Sequence, residues 1–228
     1  MDIKLQNQLD TKIKQSLKLL DLDYREYREV WSLQKKMVQS RHRSLIPDTL
    51  ILVEHYPVYT FGKKSNDNHL LGSRDNNIPI YHTERGGDVT FHGPGQLVGY
   101  PIIDLHNHQK SITWYMRSLE QVIINTLKLY KIIPQRRKGL TGVWVGDEKI
   151  AAFGVRLSRW VSMHGFALNV NTDLKFYDGI IPCGIFEYDV TSMAEILGHE
   201  MDMTKLKKVL INEFIKLFNF EISETCIA

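Results

Sequence analysis

The sequence has only two cysteines, Cys183 and Cys226, among 228 residues. Two thiols cannot build the disulfide framework of a small secreted domain, so we expect a reducing, cytoplasmic location. No apolar run approaches the roughly 18 residues of a membrane helix, and no membrane association is expected. Residues 1–22 lack the apolar core and cleavage site of a signal peptide. They predict a flexible or helical N-terminal extension of uncertain order.

An excess of either charge is also missing. Lys and Arg total 29 and Asp and Glu total 26, which gives a net charge of +3. Nucleic-acid-binding domains usually carry a dense basic face, so no nucleic acid partner is expected. No Pro/Gly/Ser-rich linker, repeat or low-complexity tract divides the chain, which predicts a single catalytic domain over residues 1–228.

Three segments have apolar residues at helical spacing: 27–38, 112–130 and 206–218. Ser111 is the predicted N-cap of the second helix. A shorter helix is predicted to begin at Ser192, because Ser192 and Glu195 have capping-box spacing and Gly198 supplies a stop.

Runs of branched and aromatic residues predict strands at 49–53, 88–91, 96–103, 142–145, 150–157 and 164–170. Gly146 and Asp147 suit a tight hairpin turn between two of them. The strands cluster in hairpins while the long helices are few and widely separated. This pattern predicts an α+β fold, with flanking helices and a mixed or antiparallel sheet, over a doubly wound parallel fold.

The segment RGGDVTFHGPGQ, at residues 85–96, has four glycines and a proline. Such a composition lets main-chain N–H groups approach a ligand closely, although it also suits a glycine-rich hairpin corner. The GxxxxGK[ST] pattern is absent, and no GxGxxG follows a strand and opens a helix. A nucleotide phosphate loop is therefore disfavoured.

Side chains with possible chemistry are few. His106 and His108 have neither a CxxC nor an HExxH companion, so hydrogen-bonding histidines are favoured over metal ligands. Cys183 lies between a proline and a glycine, on a turn, and is either a small buried apolar residue or a nucleophile with a cationic neighbour. Lys149, where a turn enters a predicted strand, is either that neighbour or an ordinary surface lysine.

Three stretches together resemble the lipoyl(octanoyl) transferases. They are RGGDVTFHGPGQLVGYPIIDL at 85–105, GLTGVWVGDEKIAAFGVRLSRWVSMHGFALNVNTDL at 139–174 and DGIIPCGIFEYDVTSM at 178–193. The resemblance extends over residues 24–218 and implies the fold of the biotin and lipoate protein ligases. It also implies that Cys183 is the nucleophile, which forms an acyl thioester. Lys149 would lower the pKa of Cys183 and act as general acid and base.

The resemblance further implies a set of acyl-substrate residues in three segments. They are Arg85, Gly86, Gly87, Asp88, Val89, Thr90, Phe91 and His92; Ala152, Phe153 and Gly154; and Gly165, Phe166 and Ala167. Phe91, Phe153 and Phe166 could form the walls of an apolar tunnel, or else pack in the core.

The implied octanoyl donor is acyl carrier protein. The implied acceptor is a lysine on a lipoyl domain of a 2-oxoacid dehydrogenase or of the glycine cleavage H protein, with no ATP, metal or other cofactor. Basic patches at 35–36, 41–43 and 136–138 are candidates for binding the carrier protein. Two alternatives remain: an ATP-dependent lipoate or biotin ligase of the same fold, and a non-catalytic carrier-binding module.

Overall fold

The computed structural model describes residues 14–181 and 189–227. Seven strands form one mixed sheet in the order β10-β1-β2-β6-β9-β8-β7, in which β1 is parallel to both of its neighbours and the other pairs are antiparallel. These strands are β1 (Gln15–Arg25), β2 (Asp48–His55), β6 (Gln96–Ile102), β7 (Val143–Val145), β8 (Glu148–Ser158), β9 (Val161–Asn169) and β10 (Phe220–Ile227). A smaller sheet joins β3 (Val58–Phe61) to β4 (Ile80–His82) and β5 (Thr90–His92).

Helices cover both faces of the large sheet. They are α1 (Tyr27–His42), α2 (Ile112–Leu129), α3 (Met193–Leu197) and α4 (Met203–Phe218). Successive residues of a strand point to opposite faces, so Leu50 and Leu52 of β2 join the core beneath α2 and α4 while Ile51 and Val53 pack on the α1 side. The predicted α+β fold with a mixed sheet and flanking helices is confirmed. Within the described ranges, no helix has the length and apolar character to cross a membrane.

The predicted helix starts and stops are confirmed at the level of single hydrogen bonds. The Ser111 hydroxyl accepts from the Trp114 N–H at 3.2 Å, and the Ser192 hydroxyl accepts from the Glu195 N–H at 3.2 Å. Gly198 ends α3 with a φ of +74°, in the left-handed region that glycine tolerates. Gly146 turns β7 into β8, as predicted.

Two predictions about strands need correction. Residues 15–22 are not a flexible or helical extension, because they lie in β1 between β2 and β10, with Leu17 and Leu19 buried. The strand predicted at 88–91 begins at Thr90 instead, because the Val89 N–H donates to the Asp88 carboxylate and is not free for strand pairing. Strands β3, β4 and β10 were not predicted.

Leu17→Ala tests the contribution of β1. Leu17 is fully buried, so its truncation should lower the free energy of unfolding by about 2–5 kcal/mol. The matched control is Lys18→Ala, which removes an exposed ion pair with Glu224 and should cost less than about 1 kcal/mol. Urea unfolding followed by circular dichroism measures both; equal, small losses would show that β1 adds little to the folded state.

Candidate functional site

A cavity of about 700 Å³ lies along the edge of β8. β7 pairs with β8 only as far as Ala151, whereas β8 continues to Ser158. Past that point the loop of residues 85–90 approaches β8, and the Gly86 N–H donates to the Val155 carbonyl at 2.9 Å. The cavity is enclosed by this loop, β8, β9, the start of α2 and residues 139–141.

The floor of the cavity on the α1 side is a trough of small side chains. Ala152 of β8 pairs with Ala167 of β9, which in turn pairs with Val98 of β6; Gly154 pairs with Gly165. Cross-strand partners lie on one face of a sheet, so these five residues form a continuous surface with little side-chain volume. Such a surface leaves room for an unbranched apolar chain.

The loop over this trough is fixed by Arg85, which is buried. Its guanidinium donates to the carbonyl and the hydroxyl of Thr60 and to the Gly86 carbonyl. Two glycines permit this close approach: a Cβ at Gly62 would lie 2.3 Å from the Gly87 carbonyl oxygen, and one at Gly154 would lie 2.8 Å from the Gly86 oxygen. A side chain at either position would displace the loop.

Asp88 connects the loop to a second region of the chain. One of its carboxylate oxygens lies 2.5 Å from Nδ1 of His69, and the other accepts from the Val89 N–H. The His69 carbonyl in turn accepts from the N–H of Ile181, the last described residue before residues 182–188. The cavity loop is therefore tied to the chain just ahead of that segment.

Lys149 lies at the other end of the same segment. Its N–H donates to the Asp189 carbonyl at 2.9 Å and its carbonyl accepts from the Thr191 N–H at 3.0 Å. The side chain is buried, lines the cavity and places its ammonium 5.0 Å from the Trp144 ring centroid. Cys183, the predicted nucleophile, lies outside the described residues.

Two buried histidines line the cavity as neutral groups. Burial lowers the pKa of His92 to about 3 and that of His164 to about 3, so neither is charged near pH 7. His92 Nδ1 lies 2.7 Å from Gln96 Oε1, and Gln96 Nε2 donates to Asn169, which assigns the proton to His92 Nδ1. His92 also stacks on Tyr27, with the rings 7° from parallel.

The cavity brings together nearly all of the predicted substrate residues and Lys149. Phe91 is the exception: of the two alternatives left for it, a tunnel wall or packing in the core, the structure shows packing in the core. Thr90 and His92 line the cavity, and Phe91, between them on the same strand, faces the opposite way and stacks on Phe176 at 4.7 Å. Phe153 and Phe166 do line it, paired across β8 and β9 on the face opposite the trough.

Several cavity residues were not predicted as site residues. They are Tyr27, Lys64, Val98, Tyr100, Ile112, Met116, Gly139, Leu140, Thr141, Val155 and His164. Seven of them lie within the stretches that carry the resemblance: Val98, Tyr100, Gly139, Leu140, Thr141, Val155 and His164. Tyr27, Lys64, Ile112 and Met116 lie outside those stretches, in parts of the chain that only the fold brings together.

His106 and His108, the two histidines considered as metal ligands, contact other side chains of the protein. His106 bonds to the Asp104 carboxylate at 2.7 Å, and the His108 ring packs against Trp114 and Phe220. No group of three or more His, Cys, Asp or Glu side chains arranged for a metal ion occurs among residues 14–181 and 189–227.

Residues 26–215 match the family described as the lipoyl protein ligase A/B catalytic domain. The chain belongs to this family. A protein from Rubrobacter xylanophilus is 46% identical over 194 residues, covering 82% of this chain and 87% of the relative. One from Alkaliphilus metalliredigens is 42% identical, covering 92% and 98% respectively. Both relatives are named octanoyltransferase.

Solved structures share the fold at low sequence identity. A putative lipoate protein ligase from T. acidophilum superposes with a TM-score of 0.74 at 16% identity, covering 92% of this chain and 89% of that one. A lipoate-protein ligase A bound with ATP gives 0.71 at 15% identity, with coverages of 94% and 90%. The biotin protein ligase of Aquifex aeolicus, in complex with biotin and ATP, gives 0.53 at 13%, covering 88% and 70%. The predicted biotin/lipoate protein ligase fold is confirmed.

His92→Gln tests the neutral state of His92. Its pKa of about 3 is below the ordinary value of 6.5, so between these pH values the unfolded chain binds the additional proton. The contribution of neutral His92 is therefore complete above pH 6.5 and is lost as the pH falls toward 3. Below pH 6, this proton makes the free energy of unfolding of the wild type fall by about 1.4 kcal/mol for each unit that the pH is lowered. His92→Gln should remove this part of the pH dependence. Urea titrations at pH 7, 6 and 5 measure this slope, and equal slopes in wild type and His92→Gln would contradict a neutral buried His92.

Proposed function

We propose that this chain transfers an octanoyl group from acyl carrier protein to a lysine of a lipoyl domain, through a thioester on Cys183. Relatives 41–46% identical over most of the chain, all named octanoyltransferase, support octanoyl transfer. An archaeal lipoate protein ligase of the same fold has been studied with its E2 lipoyl domain, which supports a lipoyl domain as acceptor. The carrier protein as donor and the enzyme thioester are our extension.

The observation that carries the proposal is the trough of small residues in the cavity that Lys149 also lines. A saturated chain has no polar group to bind, so its affinity must come from removal of apolar surface from water. At about 0.8 kcal/mol per buried CH₂, six methylenes would contribute roughly 5 kcal/mol.

In the first step the Cys183 thiolate attacks the carbonyl carbon of the donor thioester. A C–S bond to Cys183 forms, the C–S bond to phosphopantetheine breaks, and the carrier leaves as a thiol with a proton from the Lys149 ammonium, which becomes a neutral amine. The ammonium of Lys149 would stabilise the thiolate, since a neighbouring cation lowers a thiol pKa. In support, Lys149 bonds through its main chain to Asp189 and Thr191, which follow the segment that contains Cys183.

In the second step the amine of the acceptor lysine attacks the enzyme thioester. The new N–C bond forms the amide, the C–S bond to Cys183 breaks, and neutral Lys149 would accept the proton from the amine. Each step exchanges one acyl bond for another, so the balance requires neither ATP nor a metal.

The main alternative is an ATP-dependent ligase, since a relative in fold has been solved with ATP. A ligase would transfer free octanoate only with ATP, whereas a transferase would transfer carrier-bound octanoyl without it. A non-catalytic module would do neither.

Incubation with octanoyl-acyl carrier protein, without acceptor or ATP, should add one octanoyl mass to the protein, released by hydroxylamine. Cys183→Ala should abolish the adduct, and the exposed control Cys226→Ala should retain it. Intact-mass spectrometry measures all three, and Lys149→Met should slow the appearance of the adduct. An adduct that survives Cys183→Ala would overturn the nucleophile assignment.

Ala167→Val tests the trough. In the wild type, transfer should rise by roughly fourfold per added methylene up to eight carbons and then fall, because a longer chain overfills the cavity. The two added methyl groups should move the optimum toward six carbons. The rate of transfer from hexanoyl, octanoyl, decanoyl and dodecanoyl carrier protein gives the profile. Phe91→Leu, outside the cavity, should leave the optimum at eight; an unchanged optimum in Ala167→Val would exclude the trough as the acyl site.

A further inference from the structure

Lys64 lines the cavity, and the chemistry proposed above does not use it. Its N–H donates to the Gly87 carbonyl at 3.1 Å, and the Ser65 N–H closes a turn on the Gly62 carbonyl. The main chain of Lys64 is thus fixed to the loop that covers the trough. Because Lys64 is exposed and lines the cavity, it lies at the solvent-facing rim.

The other charged side chains that line the cavity each contact a neighbouring group of the protein. Arg85 donates to Thr60 and Gly86, Asp88 contacts His69, and Lys149 lies beside Trp144. Lys64 makes no salt bridge to any described residue. With His92 and His164 neutral, the side chains that line the cavity carry a net positive charge. Lys64 is the cation at the solvent-facing rim.

The basic patches predicted to bind the carrier protein do not line the cavity. Many of their charged side chains also form ion pairs or a cation–π contact with other residues of the protein. Arg41 pairs with Asp48, Arg136 with Glu120 and Arg137 with Asp147, and Lys35 lies 3.4 Å from the centroid of the Trp31 ring. Lys64 combines positive charge with direct access to the cavity.

We infer that Lys64 binds the phosphodiester of the phosphopantetheine arm that carries the acyl group. The inference rests on the proposed function and specifies how the donor is held. The acyl chain and the pantetheine amides are uncharged, so the phosphate is the one anionic group of the arm. It lies at the opposite end of the arm from the thioester, and it would therefore be at the rim when the acyl chain occupies the trough. An ammonium and a phosphate oxygen form a charge-assisted hydrogen bond, one of the stronger polar contacts.

The experiment compares three octanoyl donors: intact acyl carrier protein, 4′-phosphopantetheine and pantetheine, which lacks the phosphate. Lys64→Met should raise KM by about tenfold for the first two, at unchanged kcat, and leave KM for octanoyl-pantetheine unchanged. Lys64→Arg should restore KM to within about twofold, since the positive charge is kept. The difference between wild type and Lys64→Met should shrink as salt is raised, because exposed charges are screened.

Lys63→Met is the matched control. Lys63 is adjacent and exposed, its N–H donates to the Arg85 carbonyl, and it does not line the cavity. KM should change by less than about twofold in this variant, since only general electrostatic attraction is reduced.

Three results would overturn the inference while leaving the proposed function intact: an equal loss with octanoyl-pantetheine, a loss confined to intact carrier protein, or equal losses in Lys63→Met and Lys64→Met. A wild-type protein inert toward all three donors would instead overturn the proposed function and the inference with it.

Discussion

The cavity depends on the hydrogen bonds between Arg85 and Thr60. A buried guanidinium is costly unless its donors are satisfied, and the carbonyl and hydroxyl of Thr60 together with the Gly86 carbonyl satisfy them within the protein. These bonds hold residues 85–87 against the edge of β8. There the Gly86 N–H donates to the Val155 carbonyl, which lies beyond the part of β8 that pairs with β7. Without this loop, the small residues on β8 and β9 would be an open sheet surface rather than the floor of a cavity.

The polar groups around this floor are arranged so that few of them carry charge. Burial keeps His92 and His164 neutral, and a hydrogen bond from Gln96 to Asn169 orients the amide whose oxygen accepts from the His92 N–H. Among the described residues that line the cavity, positive charge is confined to three: Arg85 bonded to Thr60, Lys149 bonded to Asp189 and Thr191, and Lys64 at the rim. The floor of small residues would thus bind an uncharged acyl chain, while the charged or reactive groups of a substrate would lie near the charged residues of the same cavity.

Local patterns in the sequence predicted local structure well. The stripes of apolar residues and the caps at Ser111 and Ser192 depend on neighbours three or four residues away, and all appear in the fold. The errors arose where tertiary position decides. In β1 the leucines are interrupted by Lys18, Asp21 and Asp23, and its identity as a strand depends on β2 and β10. Phe91 belongs to a segment that lines the cavity, but alternation along its strand turns it away from the cavity and into the core. Tyr27 and Lys64 carried no local signal, and only the pairing of distant strands brings them to the site.

The position of β1 also has a consequence for the order in which the sheet can assemble. β1 pairs with β2 a short distance along the chain, but its other neighbour is β10, with Gln15 opposite Phe220. During synthesis from the N-terminus, β1 must therefore wait with one edge uncovered until nearly the whole chain has left the ribosome. Pairings between such distant residues are slow to form, and an uncovered strand edge is a site for association with other chains. The time for which the edge of β1 stays uncovered therefore includes the synthesis of all the strands that form the cavity, because they lie between β1 and β10 in the sequence.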